Sequence, residues 1–201
     1  MLDARLRPLI DPPLNRIGAA LARRGVGADA VTLAGFLVGA ASFPALALGA
    51  YGTALVLILL NRVMDGLDGA VARHAGATDF GGYLDIVCDF LFYSGVVFFV
   101  AVGRPEDALP AAFLIFSFVG TGSSFLAYAI MAAKRGITTE IRGAKSLYYL
   151  GGITEGAETI ALFVVICLFP TAFAPLAWVF GALCWLTTAA RVAAASRTFG
   201  T

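Results

Sequence analysis

Four aspartates stand in two pairs at helical spacing. Asp65 and Asp68 are three residues apart, and Asp85 and Asp89 are four apart. On an α-helix either spacing puts both side chains on one face. Residues 75–80 form a short connection, so the two helices should be antiparallel neighbours and all four carboxylates can converge on one pocket. Uncompensated anions packed together repel and do not all stay ionised. One or two divalent cations resolve this, and an all-oxygen hard ligand set favours Mg²⁺ or Mn²⁺. Between the pairs lie Gly66, Gly69, Ala70 and Ala72, small enough to leave a groove beside the metal, and Arg73, a forked cation suited to phosphate. Metal, cation and groove together describe a phosphate-containing substrate.

These charges sit in apolar surroundings. Of 201 residues, 60% are hydrophobic and only 13% are charged, with a mean hydropathy of +0.88. A soluble domain of this size has no core large enough to hide that much apolar surface. The net charge of +1 gives no reason to expect a nucleic-acid partner. His74 is the only histidine, which excludes zinc sites built from several histidines. Cys88, Cys167 and Cys184 form no CxxC and read as reduced, buried apolar side chains.

The elements that position the aspartates are membrane helices. The expected fold is all-α, with six transmembrane helices preceded by an N-terminal amphipathic surface helix. Residues 1–29 form the juxtamembrane segment and residues 30–201 the transmembrane domain. In the first segment Leu14, Ile17 and Leu21 make one helical stripe among arginines, and Pro12-Pro13 is read as a break. Residues 30–61 carry no charge and are long enough for two spans, turning at 49–52. Further spans are expected at 81–103, 108–133, 146–169 and 176–190. With the N-terminus inside, Arg5, Arg7, Arg16, Arg23, Arg24, Arg73, Lys134, Arg135, Arg142, Lys145, Arg191 and Arg197 all fall on the inner side. The outer loops keep only Arg104, beside Glu106 and Asp107. This bias places both termini and the aspartate pocket in the cytoplasm, at an inner membrane if the source is bacterial. An intramembrane carboxylate costs roughly 2.5–3.5 kcal/mol on insertion, so four of them point to function: an enzyme, or a cation path in a transporter.

The stretch Asp65-Gly-Leu-Asp68-Gly69-Ala-Val-Ala72-Arg73, followed by Gly81, Asp85 and Asp89, resembles the motif of the CDP-alcohol phosphotransferases, D-x2-D-G-x2-A-R then G-x3-D-x3-D. Every fixed position matches. The resemblance implies a six-helix, commonly homodimeric membrane enzyme that moves a phosphate-bearing group from a CDP-alcohol to a second alcohol and releases CMP. It implies that Asp65, Asp68 and Asp85 bind metal, two ions in all. Asp89 would complete the site and act as general base. Thr32, Asp68, Gly69, Ala72 and Arg73 would bind CDP. Thr32 resembles the threonine of a P-N-x-x-T element, which reads Ala28-Asp29-Ala30-Val31-Thr32 here.

The acceptor falls to the second half of the chain. Lys134, Arg135, Arg142, Lys145 and Arg191 could cradle an anionic acceptor. The segment from Gly152 to Thr159 resembles the G-x-x-E-R-x-E-R element of inositol-phosphate-transferring members. It keeps Glu155 and Glu158 but has Gly156 and Thr159 where the arginines stand. The leading reading is transfer of a phosphatidyl group from CDP-diacylglycerol to a soluble polyol or polyol phosphate. The alternatives are a soluble CDP-aminoalcohol donor with a lipid acceptor and, more distantly, a cation-coupled transporter.

Overall fold

The structure, a computed structural model, describes residues 2–137 and 152–200, with side chains from residue 10 onward. All of its regular elements are helical. They run α1 (Leu2–Arg23), α2 (Ala28–Ala40), α3 (Ser42–Ala47), α4 (Tyr51–Ala75), α5 (Asp79–Gly103), α6 (Ala108–Lys134), α7 (Gly156–Leu168) and α8 (Phe173–Phe199), with single 3₁₀ turns at Pro105–Asp107 and Pro170–Ala172. Among the described residues, four stretches are long and apolar enough to cross a membrane: Ala28–Ala47, Asp79–Gly103, Pro105–Lys134 and Pro170–Phe199. This is a multi-pass membrane protein. Helices suit that setting because each satisfies its own backbone hydrogen bonds.

The helix ends follow from local chemistry. Gly49 takes φ +71° in the α3–α4 turn and Gly76 takes φ +101° directly after α4, conformations that cost other residues a Cβ clash. Thr78 then caps α5, its hydroxyl accepting from the Gly81 amide at 2.9 Å. Residues 76–78 are thus the whole link between the helices that carry the two aspartate pairs.

Some boundaries differ from the sequence expectation. Helix α1 continues through Pro12-Pro13 to Arg23. A proline removes one donor and kinks a helix, but α1 lies along α4, with Gly18 against Ala70 and Leu14 buried. The fifth apolar helix starts at Gly156 rather than 146. Residues 146–151 lie outside the described residues, and 152–155 are not helical. There Thr187 Oγ1 accepts from the Ile153 and Thr154 amides, both at 3.2 Å, and Glu155 and Glu158 form a capping box. Helix α8 begins at Phe173 and runs to Phe199, past the expected end at Ala190. Pro175 sits in its first turn, where a missing N–H costs nothing.

The core lies at the end of the helices away from the aspartates. Leu46, Ile58, Phe92, Val96, Val97, Val100, Phe163 and Phe173 are fully or almost fully buried there. Large apolar side chains such as Leu37, Phe98, Phe116, Val119 and Val179 face outward, as a lipid-facing surface requires. The α1–α4 contact is tight. A Cβ on Gly18 would lie 2.8 Å from the carbonyl carbon and Cβ of Ala70 and 3.0 Å from the Val71 nitrogen. Backbone atoms cannot step aside, so Gly18→Leu should cost about 1–3 kcal/mol and lower the thermal midpoint in detergent. Gly52→Ala, with nothing within 4 Å of the added carbon, should not lower it. Equal midpoints for Gly18→Leu and wild type would contradict this packing.

Candidate active site

Three helices build one pocket. Helix α2 contributes Thr32, Gly35 and Phe36, α4 contributes Asn61, Arg62, Asp65 and Asp68, and α5 contributes Asp85, Cys88 and Asp89. Each set follows helical spacing, so each is one face turned inward. Gly35 lets α2 come close to α4: its added Cβ would stand 3.0 Å from Met64 Cβ. The Asn61 amide, buried in that contact, donates to Gly35 O at 2.8 Å and fixes the register. Gly81 serves α5 in the same way, since a Cβ there would lie 2.8 Å from an oxygen of Asp29.

Asp65, Asp68 and Asp85 each offer a carboxylate oxygen within 4.8 Å of the others. Asp68 is buried. Thr32 and the Gly69 backbone interact with its carboxylate, yet its Oδ2 has no hydrogen-bond partner among the described residues. A buried carboxylate oxygen left this way is costly unless something else satisfies it. Three carboxylates with oxygens this close, one of them also carrying an orphaned oxygen, fit a divalent cation.

Asp89 lines the same pocket but has other partners. Arg62 Nη2 donates to its Oδ1 at 2.9 Å, and the Tyr93 hydroxyl donates to its Oδ2 at 3.2 Å. Arg62 also donates to Tyr93 Oη at 3.1 Å and twice to Asn61 Oδ1. Sequence reasoning missed Arg62, Asn61 and Tyr93. Arg62 carried the available signal: it ends the uncharged run 30–61, and Asp65 follows three residues later.

The remaining expected residues divide. Gly69, Ala72 and Arg73 lie on α4 after Asp68 and do not line the aspartate pocket; Arg73 extends to α1, donating to Asn15 Oδ1 at 3.1 and 2.8 Å. Thr32 reaches the pocket with its hydroxyl donating to Ala28 O. Lys134 is exposed at the end of α6. Arg135 donates to the Thr198 and Phe199 carbonyls at the end of α8. Arg191 is buried and donates to Thr121 O at 2.8 Å. Glu155 and Glu158 accept backbone amides at the start of α7. None of these five lines the aspartate pocket among the described residues. Arg142 and Lys145 lie outside the described residues. The start of α7 does approach the site: a Cβ on Gly156 would be 3.5 Å from Tyr93 Oη.

Residues 26–193 match the CDP-alcohol phosphatidyltransferase family. The chain belongs to that family. It is a transferase that moves a phosphatidyl group onto an alcohol in phospholipid synthesis. The chain is similar to the inner membrane protein YnjF of Escherichia coli, 55% identical over 96% of this chain and 94% of that one. An archaetidylinositol phosphate synthase of Pyrococcus horikoshii is 34% identical over 50% of this chain and 54% of its own. Among solved structures, the phosphatidylinositol phosphate synthase of Mycobacterium tuberculosis with CDP-DAG bound superposes with a TM-score of 0.72 at 19% identity, covering 89% of this chain and 91% of that one. The same enzyme in complex with manganese and citrate gives 0.67 at 20% identity, over 89% and 87%. These likenesses show the fold of the transferase.

Proposed function

We propose that the transferase takes its phosphatidyl group from CDP-diacylglycerol and passes it to a polyol or polyol-phosphate hydroxyl, releasing CMP. The observation that carries this is the trio Asp65, Asp68 and Asp85 with the orphaned Asp68 oxygen, placed between α2, α4 and α5. These three residues would hold Mg²⁺ or Mn²⁺, two ions in the reading from the motif. Bound there, divalent ions neutralise pyrophosphate charge and stabilise the leaving CMP. Thr32, Asp68, Gly69, Ala72 and Arg73 would bind the nucleotide, as the motif implies. Asp89 takes the proton of the acceptor hydroxyl. The new O–P bond forms as the P–O bond to CMP breaks, so no covalent enzyme intermediate arises.

In the membrane, α4 and α7 add two spans to the four apolar stretches, giving six. Helix α1 lies on the surface as an amphipathic helix ahead of the domain at 30–201. The basic residues keep both termini and the pocket on the cytoplasmic face. A homodimer is the expected assembly. Lys134, Arg135, Arg142, Lys145, Arg191, Glu155 and Glu158 are proposed to shape the acceptor side; Arg135, Arg191 and the two glutamates would act through the backbone groups they hold.

The test is CMP release by the purified protein with Mn²⁺ and a panel of alcohols, reading the lipid product by mass. Acceptor-dependent CMP from CDP-diacylglycerol is the expected result. CMP from CDP-choline and a lipid alcohol instead would reverse donor and acceptor, and no CMP from either would overturn the assignment.

A further inference from the structure

Helix α1 packs on α4 at the level of the aspartate motif. A Cβ on Gly66 would stand 2.7 Å from Leu14 Cδ1, and one turn on Gly18 lies against Ala70. Leu14 and Gly18 are four residues apart, as are Gly66 and Ala70, so a ridge of one helix meets the matching row of the other. The sequence suggested that Gly66 and Ala70 leave a groove beside the metal; in the structure α1 fills it.

Asn15 follows Leu14 on this seam and reaches Arg73. Its Oδ1 accepts from Arg73 Nε at 3.1 Å and from Nη2 at 2.8 Å. Both bonds use the Nε edge of the guanidinium, so they fix the direction of its plane. The end of the fork, Nη1 with the second N–H of Nη2, is left for two oxygens of a phosphate. Nη1 lies over Gly69, where an added Cβ would be 3.6 Å from it, and Gly69 directly follows the buried Asp68. Arg73 is exposed, and among the described residues no carboxylate pairs with it. A neutral amide thus orients this cation without neutralising it, which suits an anion arriving from outside.

We infer that Asn15 is a positioning residue for the donor: it turns the Arg73 guanidinium so that the open end of its fork meets the donor's phosphates. Helix α1, which lies outside the aspartate motif, is thereby part of the donor site. This rests on the reading of CDP-diacylglycerol as donor and of Arg73 as one of its contacts. Asn15→Ala removes the amide that holds Arg73 and leaves the Leu14 and Gly18 contacts of α1 in place.

The experiment is a double-mutant cycle on the purified full chain with Mn²⁺, reading CMP release and, separately, the rise in thermal midpoint on titration with CDP-diacylglycerol. Asn15→Ala should raise the CDP-diacylglycerol KM by about three- to tenfold with kcat and acceptor KM within about twofold. Arg73→Ala should raise it further. In the Arg73→Ala background, adding Asn15→Ala should change it by less than about 1.5-fold, because Asn15 acts only through Arg73. An equal rise in both backgrounds would place Asn15 in the packing of α1 alone and overturn the inference. So would a wild-type donor KM in Asn15→Ala. A wild type whose midpoint does not respond to CDP-diacylglycerol and which releases no CMP removes the donor reading, and this inference with it. A wild type that binds the donor while Asn15→Ala binds it equally well removes the inference alone.

Discussion

Asp68→Asn should make the metal-free protein more stable while removing most of its activity. The Asp68 carboxylate is buried with one oxygen that no donor reaches among the described residues. In the metal-free state that charge is a strain on the fold. Asn keeps the shape, removes the charge and brings an N–H₂ group that neighbouring carboxylate oxygens can accept from. The ion, in turn, stabilises the wild type by binding only the folded state. The thermal midpoint without metal should therefore rise in Asp68→Asn, and the upward shift on adding Mn²⁺ should vanish. Turnover should fall by about a hundredfold or more, because the ion's stabilisation of the developing charge is worth several kcal/mol. Asp65→Asn should lose turnover similarly but gain less metal-free stability, since its side chain is 35% exposed. A wild-type Mn²⁺ shift in Asp68→Asn would remove Asp68 from the ligand set.

The aspartate site was legible in the sequence because its logic is local. Spacings of three and four residues fix the faces of α4 and α5, but the short link at 76–78 does not make them direct neighbours as expected: α2 packs against both, and the two aspartate pairs meet across it. Asp89 is where local logic ends. Its spacing from Asp85 groups it with the ligands, but its partner Arg62 lies 27 residues earlier on another helix. Only the packing of α2 against both α4 and α5 brings the two together. Arg62 fell between two patterns, just after an uncharged run and just before a motif.

The second half was harder to read for a different reason. Glu155 and Glu158 carry the spacing of a polar motif, and acids near a membrane helix suggest a ligand. In the structure they cap α7. Glutamate is an unusual N-cap, so the local signature of a helix start was weak. Hydropathy also carried this helix through 152–155, which the structure leaves non-helical, because hydropathy does not separate apolar helix from apolar chain. Arg191 looked like a cation at a helix end, whereas its guanidinium is drawn inward to a carbonyl of α6.

Asp89→Asn provides the sharpest contrast with Asp68→Asn. The variant keeps one carboxamide oxygen to accept from Arg62, and Arg62 retains Asn61 and Tyr93 as partners. It should therefore fold, since no buried charge is stranded in the way that makes broken ion pairs so damaging. Mn²⁺ should still bind, within about threefold of the wild-type affinity, because the trio is intact and the net charge changes only at its border. The CDP-diacylglycerol KM should stay near the wild-type value for the same reason. What should disappear is acceptor-dependent turnover, by about 10²–10⁴-fold, the range over which a positioned general base contributes. The measurement pairs Mn²⁺ titration with CMP release at saturating acceptor. If Asp89→Asn instead loses Mn²⁺ as Asp68→Asn does, then Asp89 is a fourth ligand. Each Asp89 oxygen keeps a second lone pair for the ion while accepting from Arg62 or Tyr93, and the loss of turnover would then report the ligand as well as the base.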